Sequence, residues 1–269
     1  MSQLPTTTAL ILEHEGSVLK IWFNRPEARN ALSGEMVNEL EQVLDAIRDD
    51  RSIRTIVLRG RGGFFCAGGD IKSFKTELQA GEPDHDDVAR GNRSFGNLMI
   101  KLNEQPQVVV VLVEGAAIGG GLGLACVGDV TISTKDARFR LSETSLGIPP
   151  AQIAPFVTER VGLTQARRLM LTGARFTGAE ALHYGIAHIT AEDSDDLDAK
   201  CQEVLEQISM CAPGANAVTK GIVFESTRKP RAEALDFASH GFASCMLSEE
   251  GAEGVAAFVE KRKPSWATE

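Results

Sequence analysis

Cysteine is scarce and poorly placed for cross-linking: there are five, an odd number, with no C-x-x-C spacing. That excludes a disulfide scaffold or a zinc ribbon and predicts a reducing, cytoplasmic setting. Positive charge is also short, with 28 basic against 37 acidic residues and a net charge of -9. Bulk attraction to nucleic acid or to an anionic membrane surface is therefore not expected. No apolar run approaches the roughly 20 residues of a membrane span. The opening MSQLPTTTAL has neither the basic nor the apolar region of a signal peptide, so no membrane partner is expected. The histidines at 14, 85, 183, 188 and 240 show no metal-ligand spacing, and no metal site is expected. The single tyrosine, Tyr184, is expected to pack rather than react.

What is present reads as an ordinary globular chain, 43% hydrophobic and 24% charged. Its 269 residues suffice for one large domain, or for a domain with a helical appendage. TTALILEHEGSVLKIWFNRP predicts two short strands around a turn at Glu15 and Gly16. Ser33 is placed to cap a helix whose apolar positions are Val37, Leu40, Val43, Leu44 and Ile47. TIVLRG at 55–60 and QVVVVLVEG at 107–115 read as buried parallel strands. Residues 76–92 are acidic and turn-rich and are expected to be mobile, with a helix from about Arg90 to Leu102. DVTIST and ARFRL predict short strands, LGIPP an interruption, and the chain from about 151 onward reads as almost wholly helical. Thr177 and Glu180 have capping-box spacing. The pattern predicts an α/β core over 1–200 and a helical C-terminal region over 201–269.

The segment AAIGGGLGLACVGD, residues 116–129, empties a strand into glycines and then into a small-residue helix. Such a turn brings main-chain amides against a ligand. The dinucleotide fingerprint G-x-G-x-x-G is not met, and the turn comes too late in the chain for a first strand–helix unit. No phosphate-binding G-x-x-x-x-G-K-[ST] occurs either. Close packing of helix on sheet would also account for the glycines. A second strand, however, ends in FFCAGGD. Two glycine loops at one sheet edge, one of them opening a helix, describe a pair of donors for an oxyanion.

These segments resemble the crotonase (enoyl-CoA hydratase/isomerase) superfamily. The resemblance rests on NRPEARNALS (24–33), FFCAGGDIK (64–72), the 116–129 segment, FRLSETSLGIPP (139–150) and FVEKRKPSW (258–266), in that order. It implies an α/β spiral of ββα units, a C-terminal α-helical trimerisation region and an acyl-CoA thioester substrate. A homotrimer or dimer of trimers is implied, and no cofactor beyond the coenzyme A of the substrate. By position, the N–H groups of Gly69 and Gly120 would hold the thioester oxygen as it becomes an enolate. Arg25, Arg29 and Lys72 are candidate contacts for coenzyme A phosphates. Ala67, Gly68, Asp70 and Ile71 form the loop that receives the adenine end, with Asp70 fixing its turn. Phe258 and Lys261 would reach the coenzyme A of the same or a neighbouring subunit.

The sequence departs from the pattern at one informative place. Hydratases that resemble it carry a glutamate three residues after the middle glycine and another about 20 residues on. Glu143 fills the second position, but the first is Gly123. A single-glutamate hydration is then expected, in which Glu143 takes a proton from water and returns one to the α-carbon. Hydroxycinnamoyl-CoA hydratase-lyases resemble this pattern. Gly123 is expected to open volume for a bulky or branched acyl chain, and LSETSLGIPPAQIAPFV resembles hydratases of the isohexenylglutaconyl or methylglutaconyl type. Isomerisation, hydration followed by cleavage, and a non-catalytic coenzyme A-binding role are the alternatives. Cys66, beside the first glycine loop, has no evident partner base and is expected to be a buried thiol.

Overall fold

Two runs of alternating burial open the chain. β1 (Leu10–Glu15) and β2 (Val18–Phe23) form the expected hairpin, paired antiparallel from Leu10 opposite Phe23 to Glu15 opposite Val18. The computed structural model in which these elements lie describes residues 3–70, 81 and 84–267. Leu19, Ile21 and Phe23 point inward and are fully buried, the period-two pattern of a strand with one covered face. β3 (Thr55–Gly60), β4 (Val108–Val113), β6 (Val130–Thr134) and β9 (Ile189–Ala191) extend the sheet in parallel, in the order β1-β2-β3-β4-β6-β9. Every residue of β3 is buried, as a central parallel strand requires. β5 (Ala116–Ile118), β7 (Arg138–Arg140) and β8 (Arg175–Thr177) form a second, three-stranded sheet.

The helices follow the expected signals, with two shifts. α1 (Gly34–Ile47) starts where Ser33 accepts the Met36 N–H at 3.2 Å, and it buries Met36, Leu40, Val43, Leu44 and Ile47. Val37 is only partly buried at the edge of that face. α2 (His85–Asn103) begins before Arg90, inside the stretch expected to be turn-rich. Asp86 and Asp87 in its first turn favour the positive end of the helix, which explains how an acidic segment is helical. The rest of that stretch, at 76–80, 82 and 83, lies outside the described residues.

Beyond α3 (Gly120–Val127) come α4 (Ala154–Thr172), α5 (Gly178–His183) and α6 (Ser194–Ser209). α5 opens on the expected capping box, with Glu180 accepting the Thr177 N–H at 2.8 Å and Thr177 accepting the Glu180 N–H at 3.3 Å. β8 and β9 interrupt a region read as wholly helical, because three-residue strands leave too little periodicity to notice. α6 packs Leu197, Cys201 and Val204 against Val57, Val110, Leu112 and Ile132 on the outer face of the large sheet. Residue 200, the expected boundary, lies within α6, and the next helix is α7 (Pro213–Arg228). Lys220 pins α7 to the core, donating to Gln105 O at 2.8 Å, Gln107 O at 2.7 Å and Asp129 Oδ2 at 2.5 Å. α8 (Arg231–Met246) and α9 (Glu249–Glu260) follow. No helix of the described residues is long and apolar enough to cross a membrane.

Candidate active site

Because β3 and β4 run parallel, the loops that follow them leave the same edge of the sheet. Main-chain bonds join them there: Phe65 N–H to Glu114 O at 2.9 Å, Cys66 N–H to Ala116 O at 3.0 Å, and Ile118 N–H to Cys66 O at 3.0 Å. A third segment closes on the first loop from the other side. Leu32 N–H donates to Gly68 O at 2.8 Å, and Asp70 N–H donates to Leu32 O at 3.1 Å. In such a parallel bridge the central residue, Gly69, turns its own N–H away from Leu32. Among the described residues that N–H has no acceptor.

The second donor arises at the start of α3. Gly119 gives its N–H to Arg140 O at 2.9 Å, and Gly123 N–H is the first amide to bond back, to Gly119 O at 3.0 Å. The N–H groups of Gly120, Gly121 and Leu122 are left without an acceptor among the described residues, the orphan donors of a helix start. A side chain at Gly120 would meet Leu32 Cδ1 at 2.8 Å and Phe95 Cζ at 3.3 Å. Leu32 therefore holds Gly69 with its backbone and touches Gly120 with its side chain.

Glu143 completes the group. It sits at the head of a 3-10 turn (Glu143–Leu146) just after β7, braced by Ser145 Oγ on Ser142 O at 2.6 Å and Thr144 Oγ1 on Met170 O at 3.0 Å. Its carboxyl lies against Gly119, where a Cβ would come within 2.6 Å of Oε1. Oε2 is buried without a hydrogen-bond partner. Burial pushes the Glu143 carboxyl above the ordinary glutamate value, opposed by the main-chain N–H groups of Glu143 and Ser142. A half-buried acid with one free oxygen thus stands beside a helix start with free amides.

The structure brings Gly68, Gly69, Asp70, Gly120 and Glu143 together. Ala67 donates its N–H to Arg29 O at 3.0 Å, which sets the course of the loop. Arg25 is engaged internally, with Nη2 on Asp70 Oδ2 at 3.0 Å and Nη1 on Ala31 O at 2.6 Å. It clasps two loops. Arg29 is exposed, with its guanidinium 5.4 Å over the Phe64 ring. Ile71 and Lys72 lie outside the described residues. Phe258 is 86% exposed at the end of α9, and Lys261 caps that helix in a left-handed conformation. The tail beyond them packs where Arg54 Nη1 donates to Trp266 O at 2.6 Å, at the opposite end of β3 from the glycine loops.

Gly123 corrects the sequence reading. It is buried, and a Cβ there would overlap Ile153 Cγ2 and lie 2.9 Å from Ile153 Cβ and 3.4 Å from Met99 Cε. The volume left by the missing glutamate is filled by Ile153, itself 3% exposed, and is not open to an acyl chain. Leu32, Phe95 and Ile153 are thus site residues that motif reading missed. Only Leu32 carried a signal, as part of NRPEARNALS. Cys66 is fully buried, and its thiol is pushed up to about 12 by that burial, consistent with an inert side chain. His188 accepts the Thr131 N–H on Nδ1 at 2.9 Å, and Tyr184 packs edge-on to Phe176, both structural roles.

The sequence profile of the enoyl-CoA hydratase/isomerase family matches residues 13–269. The chain belongs to that family. Pseudomonas aeruginosa AtuE has a similar structure with 53% identity and a TM-score of 0.94, covering 97% of this chain and 100% of that one. An enoyl-CoA hydratase/isomerase from Marinobacter aquaeolei is 48% identical with a TM-score of 0.92, over 96% and 99% of the two chains. The short-chain-enoyl-CoA hydratase of Clostridium acetobutylicum is 33% identical over 256 residues, 94% of this chain and 95% of its own. The expected α/β crotonase fold and hydro-lyase type of enzyme are those of the family.

Proposed function

We infer that this family member adds water across the double bond of 2-enoyl-CoA thioesters whose acyl part is bulky or branched, of the isohexenylglutaconyl or methylglutaconyl type. The observation that carries the hydration is the Glu143 carboxyl, with Oε2 unpartnered, held against Gly119 at the start of α3. Attack of water on the β-carbon pushes charge onto the α-carbon and the thioester oxygen, an enolate too high in energy for a carboxylate base alone to reach. The Gly69 and Gly120 N–H groups supply what is missing, donating to the thioester oxygen as it gains charge. The positive end of α3 adds to that stabilisation.

Glu143 as carboxylate takes one proton from a water as the water oxygen bonds to the β-carbon. The π electrons move onto the thioester oxygen as an enolate. The protonated Glu143 then gives that proton to the α-carbon as the carbonyl re-forms, so one water is consumed and the acid is restored. A carboxyl raised by burial serves the second half of this exchange as well as the first. Leu146 and Ile148, 54% and 44% exposed in the segment that follows Glu143, offer apolar surface to a longer chain. Arg29 is the described cation we assign to a coenzyme A phosphate. No metal or redox group is assigned a part.

Loss of the conjugated thioester absorbance in deuterated water tests this. Bleaching with one deuterium fixed at the α-carbon is the expected result. Appearance of the chromophore from a 3-enoyl thioester without bleaching would make the chain an isomerase. Cleavage products would make it a hydratase-lyase, and no change a coenzyme A-binding protein. We also propose that the chain assembles as a homotrimer or a dimer of trimers, because α8, α9 and their connection expose Leu235, Phe242, Leu247 and Val259.

A further inference from the structure

The acid stands on a support that burial alone does not fix. Glu143 is half-buried, but residues 144–149 after it are all exposed. The main-chain bonds of this turn are local: Ser145 N–H to Ser142 O at 3.0 Å, Gly147 N–H to Thr144 O at 3.2 Å and Ile148 N–H to Glu143 O at 3.2 Å. Among the described residues, two side-chain bonds tie the turn to its surroundings. Thr144 Oγ1 donates to Met170 O in the last turn of α4, and Arg140 Nη2 donates to Ser145 Oγ at 3.2 Å.

Arg140 reaches both sides of the acid. Its guanidinium is a rigid planar fork, so with Nη2 on Ser145 its Nε can also donate to Gly173 O, at 3.1 Å. Gly173 caps the carboxyl end of α4, where a cation is favoured. The Ser145 hydroxyl accepts from Arg140 on a lone pair and gives its single proton to Ser142 O at 2.6 Å. A continuous chain therefore runs from the guanidinium to the residue before Glu143. The Arg140 carbonyl meanwhile accepts the Gly119 N–H at 2.9 Å, and Gly119 is the glycine on which the Glu143 carboxyl lies. Stability does not explain the charge. β7 and β8 set Arg140 directly opposite Arg175, and like charges so placed are destabilising.

We propose that Arg140 is a positioning residue for the acid–base step: its guanidinium clamps the Glu143 turn to the end of α4 through Ser145, while its carbonyl fixes Gly119. This rests on the reading of Glu143 as the group that moves protons. Arg140 acts through that turn and not on the substrate, so its loss slows proton transfer and leaves thioester binding nearly intact.

Steady-state kinetics on methylglutaconyl-CoA and crotonyl-CoA, with hydrogen–deuterium exchange of the peptide 142–148, test this on the whole protein. In Arg140→Met, kcat should fall about 10- to 100-fold, with KM changed less than about twofold. The amides of Ser145, Gly147 and Ile148 should exchange about tenfold faster or more. The melting temperature should hold or rise, because a like-charge pair is relieved. Ser145→Ala should reproduce the kinetic and exchange effects, and Ser145→Thr, which keeps the hydroxyl, should behave as the wild type. Unchanged exchange in Arg140→Met overturns the proposal, and so does faster exchange with wild-type kcat. A lowered melting temperature with kcat and KM changed together would make Arg140 a support of the fold and overturn it too. Faster exchange in Arg140→Met, with a wild type that hydrates neither thioester, would retain the clamp and remove the hydratase reading.

Discussion

The Glu143 carboxyl rests on the main chain of Gly119, with Oε1 2.6 Å from where a Cβ would be. Gly119 also has φ 51° and ψ −119°, a conformation that side-chain-bearing residues rarely adopt. The same glycine therefore admits the acid and permits the turn that aims the amide of Gly120. Gly119→Ala should lower kcat by about 100-fold through displacement of the carboxyl, the scale of a misplacement of about 1 Å. Steady-state kinetics alongside thioester titration would check it; a variant with wild-type kcat would mean that this contact does not position the acid.

Glu143→Gln should lower kcat by about 10² to 10⁴-fold, the usual worth of a positioned acid–base group, with thioester binding retained. It should also raise the melting temperature at neutral pH. The raised carboxyl contributes stability that is fully present below the unfolded value near 4.5 and is lost as pH rises through the folded one. Glutamine removes the buried charge that remains at pH 7. Calorimetric scans should show the gain at pH 7 and its disappearance below about pH 4.5.

The pH profile of kcat/KM should carry the same signature. Hydration begins with Glu143 as carboxylate, so activity rises with pH through its titration. Burial places that acidic limb above the ordinary value of 4.5. A limb at or below the ordinary value would show that another group governs the rise.

Gly123→Ala should destabilise the fold by about 1–3 kcal/mol through overpacking against Ile153. Ile153→Ala, which removes the Cγ2 that the new methyl would overlap, should cost about 2–5 kcal/mol alone and should recover part of the Gly123→Ala loss in the double variant, a coupling that denaturant titrations of all four proteins would measure. Additive effects would mean that the two residues do not share this space.

Phe242→Asp should shift the molar mass in solution toward that of a single chain. Phe242 is 69% exposed on α8, and a charge on a face that meets another copy is poorly tolerated. Light scattering after size separation is the measurement, and an unchanged mass would place the contact elsewhere.

The sequence by itself determined the elements whose cause is local or repetitive. The β1–β2 hairpin follows from alternation and a glycine turn, α1 from Ser33 and its apolar stripe, and α5 from the capping box. The convergence of the two glycine loops was legible too, because parallel strands put their carboxyl ends on one edge. So was Glu143, through the motif around it. What a glycine leaves open was not legible, since an absent side chain shows only that something else can approach. At Gly119 the neighbour is Glu143, at Gly96 it is Gln152 and Arg93, and at Gly123 it is Ile153 rather than substrate. The tertiary structure alone decided these, because packing fills space with whichever residues the fold brings near, however distant they are along the chain.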